Sequence, residues 1–439
     1  MDGAVTATPR ITMGRIFLFL LLTVLNGCAS MRNTPADTTY QDRLGQVTVI
    51  AIEQAPELKF EGFVRSKGGG AAFAGGGTFT ACMTGIGHCS GSMCGAALLL
   101  MLGVCGVAGL VGGVAGAVTA PSAEQVAASE AAMARVFEVR TIQESVRHSV
   151  EEAALAAGIE LRQLPEQEIR AAAATKDYRL LAALGIDTVL ETTLRKAGTT
   201  GSGLNDPVTA YMEVHVRLVD TASNSERYST DYLYQGRRLD LASWSANQAK
   251  PLIDELNRGY RTLGNHISES IFSLYTFPDR AWRSAGGLLS SSFGLAPIYP
   301  PTRGTLTGDR FIGAKFEWFA VEGLRPRFKW EAFPRPGDVA AAPEEMARIS
   351  NVRYDLLISR EENMGPGELV YRREGLPKPE HTIAISLQPD RRYFWTVRAR
   401  FELDGRTRLT EWGSTHFAVR EKITAPSQHS YRFRTPGLD

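Results

Sequence analysis

A chain of 439 residues is longer than one ordinary hydrophobic core serves, so two or three domains are expected. Its 48 Lys and Arg stand against 47 Asp and Glu, which argues against a dedicated nucleic-acid binder with its usual basic excess; no nucleic-acid partner is expected. At 44% apolar the composition is globular, and the 43 glycines are clustered.

Arg10 and Arg15 form a basic region, Ile16 to Leu25 an apolar stretch, and Leu25-Asn26-Gly27-Cys28 follows. That is the layout of an export signal over residues 1–27. The last four residues resemble the lipobox of bacterial lipoproteins: an aliphatic residue three before the cysteine, a small residue directly before it, then the cysteine. The resemblance implies that the peptide is cut before Cys28 and that Cys28 is acylated, palmitate included. Asn26 departs from the Ser or Ala more usual there, and the competing reading is a plain signal anchor. Met13 is an alternative start, since the essential parts all follow it. Several acyl chains on one cysteine anchor stably, whereas one alone is marginal. By analogy with enterobacterial lipoproteins, Ala29 in place of Asp implies an outer-membrane protein facing the periplasm. Residues 28–44, with Ser30 to Asp42 flexible by composition, form a tether.

Gln46 to Glu53 reads as a buried strand and Leu58 to Val64 as a second, short one. From Gly68 to Ala123 there is no Asp, Glu, Lys or Arg. The Gly-rich first part holds Cys82, Cys89 and Cys94; Ala96 to Ala120 is apolar and long enough for a bilayer-spanning helix. Cys105, Gly109, Gly113 and Ala117 make one helical row, and Ala108, Gly112, Gly116 and Ala120 the next. Such rows let helix backbones approach closely in lipid, so the segment resembles a glycine zipper. Glycine disfavours an isolated helix in water by up to about 1 kcal/mol per residue relative to Ala. The segment therefore needs lipid, another copy or its own domain to cover it, and membrane contact and internal burial both stay open.

Ala123 to Ala157 reads as one helix, with Val136, Val139, Ile142, Val146, Val150 and Ala153 at three- and four-residue steps and Gly158 as its C-cap. Ile159 to Leu164 reads as a strand, Pro165 to Ala174 as a short helix, and Asp177 to Leu184 as a further helical turn. Three strands follow: Asp187 to Lys196, Val208 to Asp220 and Glu226 to Gln235, with Gly198 to Pro207 a loop and Ser223-Asn224 a turn. They predict an antiparallel meander with one wet face, on which His215 lies. Tyr228, Tyr232 and Tyr234 form a stripe, read as core beneath a helix rather than a sugar platform. A helix from Asp240 to Leu274, kinked or restarted at Pro251, closes the unit. This element order over residues 45–276, with IDTVLETTLRKAG and AYMEVHVRLVDTASNSERYS, resembles the α/β domain of the TolB amino-terminal part, the penicillin-binding-protein activator lipoproteins and the CsgG secretion lipoproteins. The uncharged insertion departs from the smaller members.

Residues 277–310 read as a linker holding one short strand, and from Phe311 the chain changes to short strands and turns: Arg327 to Ala332, Tyr354 to Ser359 and Leu369 to Arg372. Leu387-Gln388-Pro389, with Tyr393, Trp395 and Val397 alternating behind it, resembles the E–F corner of fibronectin type III domains. The resemblance implies that the Tyr393 hydroxyl bonds back to the corner and that Trp412-Gly413 and Phe417 lie on or near the last strand. The fold class expected is thus α+β multidomain: an α/β domain with a mixed sheet and flanking helices over 45–276, an all-β sandwich over 311–422, and a tail over 423–439.

No GxSxG, HExxH, phosphate loop or dinucleotide fingerprint occurs. GGGAAFAGGG at 68 to 77 lacks the Lys-Ser/Thr ending of a phosphate loop. His88 beside Cys89 raises a metal cluster as one reading. An exported chain meets an oxidising compartment, so disulfides among Cys82, Cys89, Cys94 and Cys105 are favoured, with three pairings open. Glu361-Glu362 and Asp390-Arg391-Arg392 read as solvated charges next to turns. No catalytic residue, metal or cofactor is expected. The leading reading is a non-enzymatic envelope lipoprotein that binds or assembles, with the membrane and an envelope protein as partners. The second is a membrane-inserting homo-oligomer using Gly109, Gly112, Gly113 and Gly116. The third is an enzyme of the cell wall or its polysaccharides.

Overall fold

The computed structural model describes residues 39–62, 122–137, 139–201, 207–278, 291–301, 304–307, 313–362, 364, 368–416, 423–424 and 430–437. Residues 1–27, read as a signal segment, Cys28, the four other cysteines Cys82, Cys89, Cys94 and Cys105, and Gly109, Gly112, Gly113 and Gly116 lie outside them.

The first sheet starts with β1 (Val47–Ala51) and β2 (Glu57–Phe60), which run in succession along one edge of β3 (Thr188–Thr200), both parallel to it. β4 (Val208–Asp220) and β5 (Ser225–Leu239) extend the sheet as an antiparallel meander. β3 is longer than the spacing predicts: Gly198, at φ +147°, keeps pairing with Tyr211 where a loop is expected. A Cβ there would lie 1.8 Å from the Lys59 carbonyl oxygen, so only glycine admits β2 this close.

Between β2 and β3 the expected single helix over 123–157 is two, α1 (Ala123–Ala134) and α2 (Val139–Ala156). Ser122 and Gln125 cap α1 reciprocally. The break follows from Phe137, which turns inward onto Phe60, ring centroids 6.4 Å apart, in a run of weak helix formers. The expected strand at Ile159 to Leu164 is reduced to one bridge, Leu161 beside Val47, before Pro165 diverts the chain into α3 (Glu166–Thr175). A single turn, α4 (Arg179–Ala182), precedes β3.

α5 (Leu241–Ser268) starts at Asp240, whose side chain accepts from the Ser243 N–H at 2.8 Å. Its backbone leaves helical geometry at Ala246 to Ala249, directly before Pro251, which offers no N–H to that turn. The helix then resumes and packs on α2 so tightly that a Cβ on Gly264 would lie 2.4 Å from the Ser149 carbonyl oxygen. Leu190, Leu194, Met212, Val214, Val216 and Leu218 face this helical layer. Tyr232 and Tyr234 are buried in the same core. On the opposite face Ile169, Tyr178 and Leu181 cover Ile50, Val189 and Val219, leaving the remainder of that face wet.

A π-helical turn, Glu269–Ser273, ends the last helix, and β6 (Leu274–Tyr275) follows at once where helix is expected. The C-terminal region comprises β7 (Ser291–Phe293), β8 (Pro297–Tyr299), β9 (Gly304–Thr307), β10 (Gly313–Phe316), β11 (Phe319–Ala320), β12 (Arg327–Trp330), the short helices α6 (Pro336–Ala341) and α7 (Pro343–Met346), and β13 (Ser350–Ser359). β14 (Leu369–Leu376), β15 (Glu380–Thr382), β16 (Arg392–Leu403), β17 (Arg406–Thr410), β18 (Ser414–His416), β19 (Ile423–Thr424) and β20 (Tyr431–Arg434) complete it. One sheet runs β11-β20-β16-β13-β14, and β15-β12-β8 is another. Phe328 and Trp330 of the second sheet meet Trp395, Phe433 and Tyr354 of the first edge-on, at 5.0 to 5.6 Å between centroids. Mixed helix and sheet in several layers is therefore the architecture.

Two stretches differ from expectation. Residues 277–310, read as a linker with one short strand, carry three, of which β7 pairs with β18 and β8 with β12, and residues 431–434, read as tail, pair between β11 and β16. Hydrophobic alternation in Tyr431 and Phe433 buries both side chains, which a solvated tail cannot do.

The two regions are joined through β6, which pairs in parallel with β17, and through β19, which pairs with β5. Beside this seam Arg398, 5% exposed, donates to Glu269 at 2.7 and 2.9 Å and to Asp355 at 3.0 Å, and stacks on Trp412. Arg400 adds a second bond to Asp355 at 3.0 Å. Burial works against the charge on Asp355 and Glu269, yet the arginines hold both carboxyls below their ordinary range.

Candidate anion-binding cleft

A cleft of about 690 Å³ opens where three strand ends of the C-terminal sheet converge. Arg360 follows the last residue of β13, Arg391 directly precedes β16, Arg392 begins it, and Arg434 ends β20. Gln388, Asp390 and Tyr393 complete the lining. All four arginines are exposed. Among the described residues no carboxylate is within ion-pair distance of any of them, although Glu362 pairs with the neighbouring Arg432 at 2.8 Å. Arg392 and Arg434 stand directly opposite one another across β16 and β20. Like charges in that relation destabilise a sheet.

The backbone that carries these charges is clamped. Buried Tyr393 stacks on Phe433, and its hydroxyl accepts from the Gln388 N–H at 3.1 Å, the corner bond that the resemblance implies. Asp390 takes φ +48°, a turn conformation aspartate tolerates, and its N–H donates to the Pro436 carbonyl at 2.9 Å. The Arg391 N–H donates to the Thr435 hydroxyl at 3.0 Å, and that hydroxyl donates to the Gln388 carbonyl at 2.7 Å. The guanidinium of Arg392 lies 5.1 Å from the Trp318 ring centroid, which limits its wandering. An anion entering the cleft meets donors on a fixed frame.

Buried charges elsewhere in the described residues are engaged within the body. Glu191 accepts from the Tyr178 hydroxyl at 2.7 Å and from Arg217 at 3.2 Å. Burial, with Glu191 beside it, pushes the Tyr178 phenol well up. Glu255 accepts from the Tyr234 hydroxyl at 2.7 Å, from Arg237 at 2.8 Å and from Arg258 at 3.1 Å. Arg335 and Asp338 pair twice at 2.7 Å, the guanidinium 3.7 Å over Phe277.

His215 lies beside Asp231 across the strands at 2.7 Å, part of the wet face and away from any ligand-like cluster. Among the described residues there is no group of three or more His, Cys, Asp and Glu able to hold a metal, and no helix long and apolar enough to cross a membrane. Asp390, Arg391 and Arg392 are the charges next to a turn that the sequence shows, whereas nothing local in the sequence marks Arg360 or Arg434. Thirty or more residues separate these from that turn, and the available signal was only that two strand-ending arginines flank the aromatic corner. The chain matches no protein-family model and no curated protein.

Proposed function

We propose that this chain is an envelope lipoprotein, tethered through Cys28, whose folded body acts by binding rather than by catalysis. The tether rests on Leu25-Asn26-Gly27-Cys28 behind its apolar stretch. The binding role is carried by one observation: Arg360, Arg391, Arg392 and Arg434 share an open cleft on a clamped backbone, while the buried carboxylates described above are taken up by internal partners.

In this reading the N-terminal region is an α/β domain of the TolB, penicillin-binding-protein activator and CsgG kind. The succession of edge strand, helices, antiparallel meander and closing helix supports it. The C-terminal region is a fibronectin type III-like sandwich, a reading supported by a three-stranded sheet facing a larger one and by the Tyr393 corner bond. Outer-membrane location follows the analogy at Ala29. The test is mass analysis of the mature amino terminus together with fractionation of Cys28→Ser. Acylated Cys28 and loss of envelope association in the variant are expected; an unmodified chain keeping residues before Cys28 refutes the tether.

A second reading, assembly of several copies through the uncharged segment, is favoured by where that segment is spliced. It lies in sequence between β2, which pairs along the edge of β3, and α1. Gly109→Leu or Gly113→Leu then dissolves a detergent-extracted multimer, because a bulkier side chain blocks close helix approach. A native chain that is monomeric in detergent ends this reading.

A further inference from the structure

We infer that the arginine cleft is a site for a ligand that presents two phosphoryl groups. The inference rests on reading the folded body as a binding module and adds the chemistry of what it binds.

The first argument is charge. Four guanidinium groups face one carboxylate, Asp390, within the cleft. Arg392 and Arg434 are held opposite each other in register, an arrangement of like charges that costs free energy. Two phosphate monoesters, each carrying about −1.5 to −2 at neutral pH, match the excess that remains.

The second argument is geometry. A carboxylate presents its two acceptor oxygens in one plane. A phosphoryl group offers three acceptor oxygens in different directions and so engages forks arriving from several strand ends at once. Here the forks come from β13, from the turn before β16 and from β20, which suits divergent acceptors better than a planar one. The volume of about 690 Å³ lies inside the usual range of about 300–1,000 Å³ for small-ligand sites.

The third argument is preorganisation. The corner bond of Tyr393 and the Thr435 clamp on Gln388 and Arg391 fix the backbone of the turn, and the Trp318 face restrains the Arg392 side chain. Side chains held in place lose less freedom on binding than free ones.

Phosphoryl groups reach such a site from two sources, a soluble phosphorylated compound or a phospholipid headgroup at the membrane. Calorimetry on the full chain in nonionic detergent separates them, with pyrophosphate as the soluble probe and micelles doped with diacylglycerol pyrophosphate as the headgroup probe. Pyrophosphate is expected to bind, with affinity falling as salt rises. Arg391→Gln with Arg434→Gln is expected to weaken binding by about tenfold or more, charge-assisted bonds being the strong ones. Asp390→Asn, which keeps a residue suited to the turn, is expected to tighten it, because the one repelling charge is gone. Displacement of pyrophosphate by doped but not plain micelles assigns the headgroup source, and pyrophosphate binding without such displacement assigns the soluble one. The inference is overturned if the native chain does not bind pyrophosphate, if the double variant binds equally well, or if polyglutamate displaces pyrophosphate, which marks an acidic protein partner. These outcomes are independent of the Cys28 measurements, so the site and the tether fail separately.

Discussion

Replacing Arg398 with Met keeps most of the side chain's volume and removes its charge from the seam between the two regions. The native guanidinium makes two bonds to Glu269 and one to Asp355, and lies 4.3 Å from the Trp412 ring centroid. Methionine leaves Asp355, 0% exposed, with Arg400 at 3.0 Å and the Gly375 N–H at 3.1 Å. Breaking a buried ion pair from one side costs about 3–5 kcal/mol, and the surviving Arg400 bond places this case near the lower end. Glu269 has 35% of its side chain exposed, so it regains water and adds at most about 1 kcal/mol. A loss of about 3–4 kcal/mol follows, which lowers a melting temperature by about 6–16 °C at 2–4 °C per kcal/mol for a body of 150–250 residues. Calorimetric melting is the assay, and a single transition in the native chain is expected to split in two in Arg398→Met. Adding Asp355→Asn to the variant removes the stranded charge and recovers much of the loss, because Arg400, 39% exposed, can return to water. The reasoning is refuted if Arg398→Met melts within about 2 °C of native, or if Asp355→Asn in that background lowers stability further.

Acid acts on the same seam. Asp355 and Glu269 are held below their ordinary values, so their contribution is full above the unfolded carboxylate range of about 3.9–4.3 and is lost as pH falls through the folded values; melting against pH drops below about pH 4 in the native chain and less steeply in Arg398→Met. Gly264→Ala forces α2 and α5 apart against a Cβ contact of 2.4 Å. An overpacking cost of about 1–3 kcal/mol outweighs a helix-propensity gain of about 1 kcal/mol, so urea denaturation should show a net loss. Tyr393→Phe removes the acceptor for the Gln388 N–H and should cost about 1 kcal/mol, read by denaturation, with weaker pyrophosphate binding because the Arg391 turn loosens.

The elements legible in sequence are those whose own residues alternate or recur. Val208 to Asp220 appears with the expected bounds because Met212, Val214, Val216 and Leu218 all enter one core. The corner at Leu387 to Tyr393 was legible through its spacing, and its hydrogen bond is where that spacing puts it. What failed to show locally was decided by partners distant in sequence. Phe137 breaks a helix because Phe60 awaits it, Gly198 stays in a strand because β2 presses against it, and Tyr431 with Phe433 becomes a strand because β16 offers an edge. The cleft is the extreme case: Arg360, Arg391 and Arg434 have no common pattern, and only the strand order brings their ends together.

One strand carries both of the arginine clusters. Arg392 and Arg398 lie on the same face of β16, six residues or about 20 Å apart. Arg398 is buried and its carboxylate partners are supplied by the chain, so its charge is spent on holding two regions together. Arg392 is exposed, faces Arg434, and among the described residues has an aromatic face but no carboxylate. A ligand that neutralises the second pair binds only the folded sheet, and at a hundred times its dissociation constant stabilises that sheet by about 2.7 kcal/mol. That is close to the loss worked out for Arg398→Met. Saturating pyrophosphate should therefore raise the melting of the C-terminal transition in that variant while leaving the N-terminal one in place. If both transitions move together without Arg398, the regions are coupled through β6 and β19 alone, and the ion cluster at the seam does not set their cooperativity.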